Sequence, residues 1–262
     1  MSRQNYHALR RRRRRREADE DLIERLVRRE RALQPRLGCR KLHFLLKEEL
    51  KDYEVEIGRD RFFGVLSGKG LLVERKRGRA RTTNSRHSLP VFTNLLQSMD
   101  VRSPNEAWVS DLTYVRTQEG FLYAALITDV YSRKIVGWHV GDSLEAEGCL
   151  AALEKALKGL PEGRHPVHHS DRGCQYCCHE YVNRLRAGGL PISMTEECHC
   201  YENAIAERVN GILKQEYEMD RDFRTKQQAR RAFRQAVWIY NHRRPHTSLG
   251  YAFPAVVHDQ AA

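Results

Sequence analysis

Three acidic residues occupy positions where a carboxylate needs a binding partner. Asp111 interrupts the apolar face of a strand pattern that also carries Val109 and Val115, so burying it there is costly without a metal ion or another cation. Asp171 follows a later strand pattern, the usual position of ligand sites in open α/β sheets. Glu207 lies within a helical pattern. We interpret these three acids as candidate metal ligands.

The helical pattern around Glu207 places several polar side chains on one stripe. At 3.6 residues per turn, this stripe contains Asn203, Glu207, Asn210 and Lys214. The apolar residues between them face the other way, where they can pack on a core. The polar face can therefore hold a metal ion and a phosphate.

The chain around these acids alternates between strand and helix patterns. Strand patterns joined by short turns cover residues 108–116, 121–129 and 134–140, which predicts an antiparallel meander. Two shorter strands are predicted at about 166–170 and 190–193. Helical patterns occupy residues 143–158, 178–188, 203–217 and 225–241. This order predicts an α/β fold with a mixed sheet flanked by helices.

The first 74 residues have a helical and basic character. Residues 41–50 and 59–66 predict two short helices around a turn at Gly58, the pattern of a helix-turn-helix. Arg59 and Arg61 would point outward from the second helix, as on a recognition helix in a major groove. The alternative is a small helical spacer without base contacts. We expect the run of arginines at residues 10–16 to be disordered until it binds nucleic acid.

The positive charge is concentrated at the N-terminal end. Residues 1–90 contain 26 Lys or Arg and 13 Asp or Glu, a net charge of +13, whereas the remaining residues contain 20 and 21, a net charge of −1. A basic end of this kind is typical of a surface that binds a polyanion, and a solvated charged surface is the alternative. No apolar run is long enough for a membrane helix or a signal peptide, so we expect a cytoplasmic protein without membrane association.

The spacing of the acids and six short motifs together resemble a known family. Between Asp171 and Glu207 lie 35 residues. The matching runs are GCRKL at 38–42, WVSDLTY at 108–114, DVYSR at 129–133, HSDRG at 169–173, ENA at 202–204, and YN at 240–241 leading to RPH at 244–246. With these runs the chain resembles the second-frame (orfB) product of the IS-three family of bacterial insertion sequences, whose catalytic core is similar to that of retroviral integrases.

The resemblance implies a ribonuclease H-like fold and a metal-dependent DNA transposase. The expected sheet has three antiparallel strands and two further strands, flanked by helices and preceded by a small helix-turn-helix domain. The expected domains are a basic arginine-rich tail (1–20), the helix-turn-helix domain (21–74), a linker (75–100) and the catalytic domain (101–262). Asp111, Asp171 and Glu207 would hold two Mg²⁺ ions, or Mn²⁺, at one site that cleaves element ends and joins the 3′-hydroxyl to target DNA.

Further residues and partners are also expected to take part. We expect Lys214 to contact a DNA phosphate near the scissile bond, with an exposed helix lysine as the alternative. Arg244 and His246 are expected to contact DNA, or else only to end a helix before Pro245. The protein would bind double-stranded DNA near the bacterial nucleoid as a homo-oligomer. It would act as a fusion with, or in association with, the upstream orfA product.

Several polar residues have competing interpretations. Asp129 ends a strand before a turn and is expected to accept structural hydrogen bonds, and Glu202 is interpreted as a helix N-terminal acid rather than a ligand. The seven cysteines are expected to be free thiols. A zinc site is the alternative for the group Cys174, Cys177, Cys178, His179, Cys198, His199 and Cys200, in which the first two have ligand spacing.

Two other functions share parts of this pattern. A DNA-binding regulator could keep the fold without catalysis, but the intact set of three acids argues against it. A ribonuclease H-type nuclease acting on RNA–DNA hybrids would share the fold and the metals. The 35-residue spacing and the basic N-terminal region fit strand transfer better.

Overall fold

The computed structural model describes residues 3–74, 89–196 and 203–260. The chain divides into two compact units, Met1–Lys76 and Arg77–Ala262. Each unit has its own buried apolar core, and the candidate acids all belong to the second. In the described residues, no helix is long and apolar enough to cross a lipid bilayer.

Three helices form the N-terminal unit: α1 (Arg3–Leu33), α2 (Cys39–Asp52) and α3 (Arg59–Gly68). Leu42, Leu46 and Leu50 recur at helical spacing on α2 and are all buried. They pack in one cluster with Phe62 and Leu66 of α3 and with apolar residues from the second half of α1. The two short helices expected from the sequence are therefore present and share one core.

The prediction that the arginine run is disordered was wrong, because residues 10–16 lie inside α1. Arginine is a good helix former, and two of these arginines have acidic partners one turn later. Arg13 Nε lies 2.8 Å from Glu17 Oε1, and Arg16 Nε lies 2.9 Å from Glu20 Oε1. These pairs offset part of the repulsion between like charges. The side chains of the run are exposed.

The second unit is built on a five-stranded mixed sheet. Its strands are β1 (Ala107–Thr117), β2 (Gly120–Asp129), β3 (Ile135–Gly141), β4 (Val167–Ser170) and β5 (Ile192–Met194), in the order β3-β2-β1-β4-β5. The first three strands are antiparallel neighbours, whereas β4 pairs in parallel with both β1 and β5. The three antiparallel strands and two further strands expected from the sequence are thus confirmed.

Helices cover both faces of this sheet. They are α4 (Ala146–Lys158), α5 (Cys174–Cys177), α6 (His179–Ala187), α7 (Ala204–Glu216), α8 (Lys226–Arg243) and α9 (Pro254–Gln260). Trp108 and Ile127 pack in a cluster with residues of α4, α5 and α6. Val109, the next residue of β1, packs instead with Ala206 of α7. Because successive strand side chains point to opposite faces, α7 lies on the face opposite α4.

The pairing of β1 leaves one of its edges open where Asp111 lies. Only Ala107, Trp108 and Val109 pair with β4, although β1 continues to Thr117. From Ser110 onward, the edge facing away from β2 has no strand beside it among the described residues. The start of α7 lies there, because Asn203 Nδ2 donates a 3.0 Å hydrogen bond to Ser110 O.

Candidate active site

Asp111 lies on the α7 face of β1, and both of its carboxylate oxygens accept hydrogen bonds. Asp111 Oδ1 accepts from Leu112 N at 2.9 Å, and Asp111 Oδ2 accepts from Asn210 Nδ2 at 2.6 Å. The side chain is half-buried, whereas Asn210 is buried. The orientation of this carboxylate is therefore fixed from both the strand and α7.

The surroundings of Asp111 raise the pKa of its carboxyl from 3.8 to about 7. Burial is the largest cause, and the negative charge of Asp171 is the next. The charge of Glu207 raises the pKa further, while the hydrogen bonds from Asn210 and Leu112 lower it. Asp171 after β4 and Glu207 on α7 therefore both lie within electrostatic range of Asp111. A cation would relieve this repulsion.

Asp171 follows β4 directly, where the chain leaves the sheet. Asp171 Oδ1 accepts a 3.0 Å hydrogen bond from Gly173 N, and this bond closes a short turn just before α5. The next side chain, Arg172, donates from Nε to Thr195 O at 2.5 Å. This bond ties the loop after β4 to the end of β5, so the position of Asp171 is set by two neighbouring parallel strands.

Glu207 occupies the first turn of α7, close to the anchor formed by Asn203. Asn203 O accepts the first helical hydrogen bond from Glu207 N at 3.1 Å, and the Asn203 side chain is buried against β1. The Glu207 side chain is exposed. The buried Asn203 side chain anchors the start of α7, and this anchor sets the position of the exposed Glu207 on the same helix stripe.

A buried polar group supports β1 from the opposite face. His168 Nε2 lies 2.7 Å from Ser110 Oγ and 3.0 Å from the hydroxyl oxygen of Tyr181. Burial lowers the pKa of His168 to about 3, so the imidazole is neutral and forms hydrogen bonds without adding charge. These contacts fix the strand residue that directly precedes Asp111.

The donor set fits a hard divalent cation. The candidate ligands are all carboxylates, and the amide oxygen Oδ1 of buried Asn210 has no hydrogen-bond partner among the described residues. In the described ranges, no three or more His, Cys, Asp or Glu side chains lie close enough together to hold a metal ion by themselves. Magnesium sites commonly use only one or two carboxylates with water and substrate phosphates, so an incomplete cage is compatible with such an ion.

Lys214 follows Glu207 on the same helix and contacts an aromatic ring. Its Nζ lies 4.8 Å from the centre of the Tyr114 ring, and the side chain is half-buried. A cation over an aromatic face is held by the ring's quadrupole. The structure therefore places a fixed positive charge on α7, on the stripe that carries Glu207 and Asn210.

The expected DNA contact of Arg244 is contradicted by its burial. The residue is 1% exposed, and its Nε and Nη2 donate to Glu216 at 2.8 and 2.9 Å. His246 is also buried, with Nε2 3.2 Å from the hydroxyl oxygen of buried Tyr240. Both residues join the end of α8 to the core, which favours the alternative interpretation as a helix terminus.

Arg59 and Arg61 are exposed on α3 of the N-terminal unit. Arg59 Nε lies 2.8 Å from Asp60 Oδ1, an ion pair in which both side chains are solvent-accessible. Their contact with DNA stays a prediction. In contrast to Arg244, nothing in the packing of α3 withdraws either side chain from the surface.

The other polar residues considered in the sequence were Asp129, Glu202 and the candidate zinc group. Asp129 is fully buried and accepts from Asn105 N, Ser132 N and Ser132 Oγ at 2.6–2.8 Å. Cys177 is buried and its thiol lies 3.7 Å from Met194 Sδ. Glu202 and the second half of the candidate zinc group, Cys198, His199 and Cys200, lie outside the described residues.

Two site residues, Asn203 and Asn210, were not included among the predicted functional residues. Both lie on the stripe of Glu207, at i−4 and i+3. This helical spacing could have identified them as part of the site. The sequence pattern does not show, however, that the stripe meets the open edge of β1. Their amide groups reach Ser110 O and Asp111 Oδ2, contacts across more than 90 residues of sequence.

Comparison with known proteins connects this geometry to a family. The integrase core domain model matches residues 101–200, and a second integrase core domain model matches residues 189–254. These ranges contain all three acids. Proteins with this core are divalent-metal-dependent polynucleotidyl transferases.

A solved structure has a similar fold. A chain of the simian T-cell lymphotropic virus intasome, determined in complex with PP2A regulatory subunit B56 gamma, is 17% identical. The similarity covers 85% of this chain and 70% of that chain with a TM-score of 0.51. At this identity the likeness concerns the fold alone, which is ribonuclease H-like.

Three insertion-sequence proteins have higher sequence identity to this chain. The insertion element IS600 uncharacterized 31 kDa protein of Shigella sonnei is 39% identical over 82% of this chain and 80% of its own length. The transposase InsF for insertion sequence IS3A of Escherichia coli K12 is 37% identical over 58% of this chain and 53% of its own length. A putative transposase for IS986/IS6110 of Mycobacterium tuberculosis is 31% identical over 88% of this chain and 84% of its own length. The chain belongs to the IS-three family of insertion-sequence transposases.

Proposed function

We propose that this transposase cleaves DNA at the ends of its insertion element and joins the freed 3′-hydroxyl to target DNA at a site formed by Asp111, Asp171 and Glu207. The observation that supports the proposal is the raised pKa of Asp111, which results from burial and from the neighbouring charges of Asp171 and Glu207. A cluster of acids that repel one another is stabilised by cations, and phosphodiester chemistry needs cations where charge develops.

The three acids are proposed to hold two Mg²⁺ ions, with Mn²⁺ as a substitute. When bound, such ions activate an attacking oxygen and stabilise the leaving oxygen. Asn210 keeps the carboxylate of Asp111 oriented through its 2.6 Å hydrogen bond. Lys214 provides a fixed positive charge one helical turn further along α7, and we propose that it contacts a phosphate near the scissile bond.

Two successive displacements at phosphorus account for the reaction. In cleavage, a water oxygen bonds to phosphorus, the bond to the 3′-oxygen of the element end breaks, and that oxygen takes a proton. In joining, the freed 3′-hydroxyl loses its proton and its oxygen bonds to a target phosphorus. The target strand's own 3′-oxygen then leaves. Cleavage consumes one water molecule and one phosphodiester bond, whereas joining breaks one phosphodiester bond and forms another. Neither step needs an oxidant or an energy source.

The N-terminal unit is proposed to bind the double-stranded element ends. Its exposed arginines supply the phosphate-binding charge, with Arg59 and Arg61 on α3. We propose that the protein assembles as a homo-oligomer on DNA, since both ends of an element must be joined together. We also propose that it acts as a fusion with, or in association with, the upstream orfA product.

A joining assay tests this function. The full chain, alone and fused to the upstream product, is incubated with labelled element-end duplex and a target plasmid in Mg²⁺, in Mn²⁺ or in EDTA. We expect labelled joined product with either metal and none in EDTA. A labelled RNA–DNA hybrid is offered in a parallel reaction. Cleavage of this hybrid without joined DNA would instead indicate a ribonuclease H-type nuclease. A shifted duplex with neither cleavage nor joining would indicate a DNA-binding regulator.

A further inference from the structure

Helix α3 carries a large apolar ring on its solvent side. Phe62, Val65 and Leu66 are buried in the core of the N-terminal unit. Phe63 follows Phe62 and is 50% exposed. Phe62, Val65 and Leu66 form one buried stripe along α3, and Phe63 lies about 100° around the helix from Phe62, outside this stripe. The ring is therefore available to a partner.

The surface of α3 next to Phe63 carries small side chains and is exposed. Asp60, Gly64 and Ser67 lie opposite the buried stripe at helical spacing, and all three are exposed. A Cβ atom built on Gly64 would meet nothing within 4 Å, and the same holds for Gly68. Within its own unit, no described element overlies this side of α3, so another surface can approach its backbone closely.

The charges around the ring indicate a polyanionic partner. Arg59 and Arg61 lie on the two flanks of the outward side of α3, with Asp60 between them, and all three are exposed. Asp60 Oδ1 lies 2.8 Å from Arg59 Nε, so this side of α3 keeps a net charge of +1. Residues 1–76 contain 22 Lys or Arg and 13 Asp or Glu, a net charge of +9. A protein partner would need a broad apolar patch, whereas Phe63 is the one exposed large apolar side chain among the described residues of α3. Duplex DNA complements this charge and has a groove that admits one helix.

We infer that α3 enters the major groove and that Phe63 contacts the C5-methyl group of a thymine, which makes Phe63 a sequence-determining residue. The inference rests on the proposed function, in which element-end DNA is the substrate. Thymine is the base that presents a methyl group in the major groove, and phenylalanine is among the side chains that contact it. Arg59 and Arg61 then reach the phosphates on either side, which sets the position of the helix.

Replacing thymine by deoxyuridine tests this contact, because the substitution removes only the methyl group. The full chain is first used to select bound sequences from a randomised duplex pool. Each thymine of the selected duplex is then replaced singly by deoxyuridine, and Kd is measured at one fixed salt concentration. We expect one or two positions at which the wild-type protein binds about four-fold more weakly, the effect of one buried methyl group.

Two variants identify the side chain responsible. In Phe63→Ala, thymine and deoxyuridine at those positions should bind equally. Phe44→Ala is the matched control, because Phe44 is 44% exposed on α2, and this variant should keep the four-fold difference. The inference is overturned if the wild type does not distinguish the two bases, if Phe63→Ala still does, or if the selection enriches no sequence. Since the wild-type comparison needs no variant, misfolding of Phe63→Ala does not prevent the test.

The joining assay separates this result from the proposed function. A protein that joins element-end DNA but ignores the methyl group keeps the catalytic proposal and loses the role of Phe63. A protein that distinguishes the methyl group but joins no DNA keeps the role of Phe63 and loses the catalytic proposal.

Discussion

Asn210 Nδ2 donates a 2.6 Å hydrogen bond to Asp111 Oδ2, and this bond links α7 to the edge of β1. The two residues are 99 positions apart in the sequence. The bond orients a carboxylate whose pKa is raised to about 7, and it favours the ionised form that binds a cation. Asn210 is therefore expected to act as a positioning residue for Asp111.

Replacing Asn210 by Ala is expected to weaken divalent-ion binding by about 10- to 100-fold, the usual effect of removing a residue that orients a metal ligand. Isothermal titration of the full chain with Mn²⁺ measures this directly. Gln215→Ala, at an exposed position of the same helix, is the control and should bind as the wild type does. Unchanged affinity in Asn210→Ala would mean that Asp111 needs no such support.

Asp129 is expected to stabilise the fold in a pH-dependent way. Burial raises the pKa of this carboxyl, but the interaction with His258 and the hydrogen bonds from Ser132 and Asn105 outweigh it and hold the pKa below its ordinary value. A carboxyl with a depressed folded-state pKa contributes stability above its unfolded-state pKa and loses it as the pH falls. Asp129→Asn places an amide donor near a backbone N–H, which should cost about 1–3 kcal/mol at pH 7.

Urea unfolding of wild type and Asp129→Asn between pH 7 and about pH 3 checks this expectation. The difference in unfolding free energy should shrink as the pH falls below about 4, where the unfolded-state carboxyl also takes up its proton. Asp222→Asn is the control, because Asp222 is exposed and its nearest ion-pair distance to Arg116 is 3.8 Å. A difference that grows on acidification would contradict the assigned sign.

Arg244 and Glu216 should behave as one buried pair rather than as a DNA contact. Their side chains are 2% and 17% exposed, and two hydrogen bonds join them. Glu216→Met leaves a buried guanidinium without its partner and is expected to cost about 3–5 kcal/mol. The double variant Arg244→Met/Glu216→Met should recover much of that loss, which denaturant unfolding of the three proteins measures. A double variant less stable than Glu216→Met would contradict this account.

Two glycines of the second unit should respond to alanine with opposite signs. A Cβ atom on Gly137 of β3 would lie 2.2 Å from Ala152 O of α4, so Gly137→Ala forces the helix away and should cost about 1–3 kcal/mol. A Cβ atom on Gly211 of α7 meets nothing within 4 Å, and Gly211→Ala should stabilise by about 0.5–1 kcal/mol. Thermal unfolding of both variants tests whether α4 packs this closely on the sheet.

Local patterns predicted most of the fold because they follow from side-chain periodicity. The alternation around Asp111 identified β1, and the leucine spacing at residues 42–50 identified α2. The helical state of the arginine run was missed because like charges in the run suggested repulsion, while the partners Glu17 and Glu20 lie one turn away. The short helix α9 was not predicted either.

Long-range partners explain what the sequence could not show. The basic motif at residues 243–246 resembles a DNA-binding surface until Glu216, 28 residues earlier, is seen to neutralise Arg244. Likewise, the stripe of Glu207 predicts a polar helix face, but not that its amides reach Ser110 and Asp111. Both outcomes depend on how α7 packs against other elements, which spacing alone does not encode.

The amount of joined DNA formed in Mg²⁺ tests whether the three acids form one catalytic site. It is measured for Asp111→Asn, Asp171→Asn and Glu207→Gln. Each variant is compared with the wild type and with Asp222→Asn. These changes keep side-chain size and remove one charge. We predict that each of the three lowers joining by about 10³-fold or more, whereas Asp222→Asn joins as the wild type does. Joining at the wild-type rate by any of the three would remove that acid from the site and contradict the account.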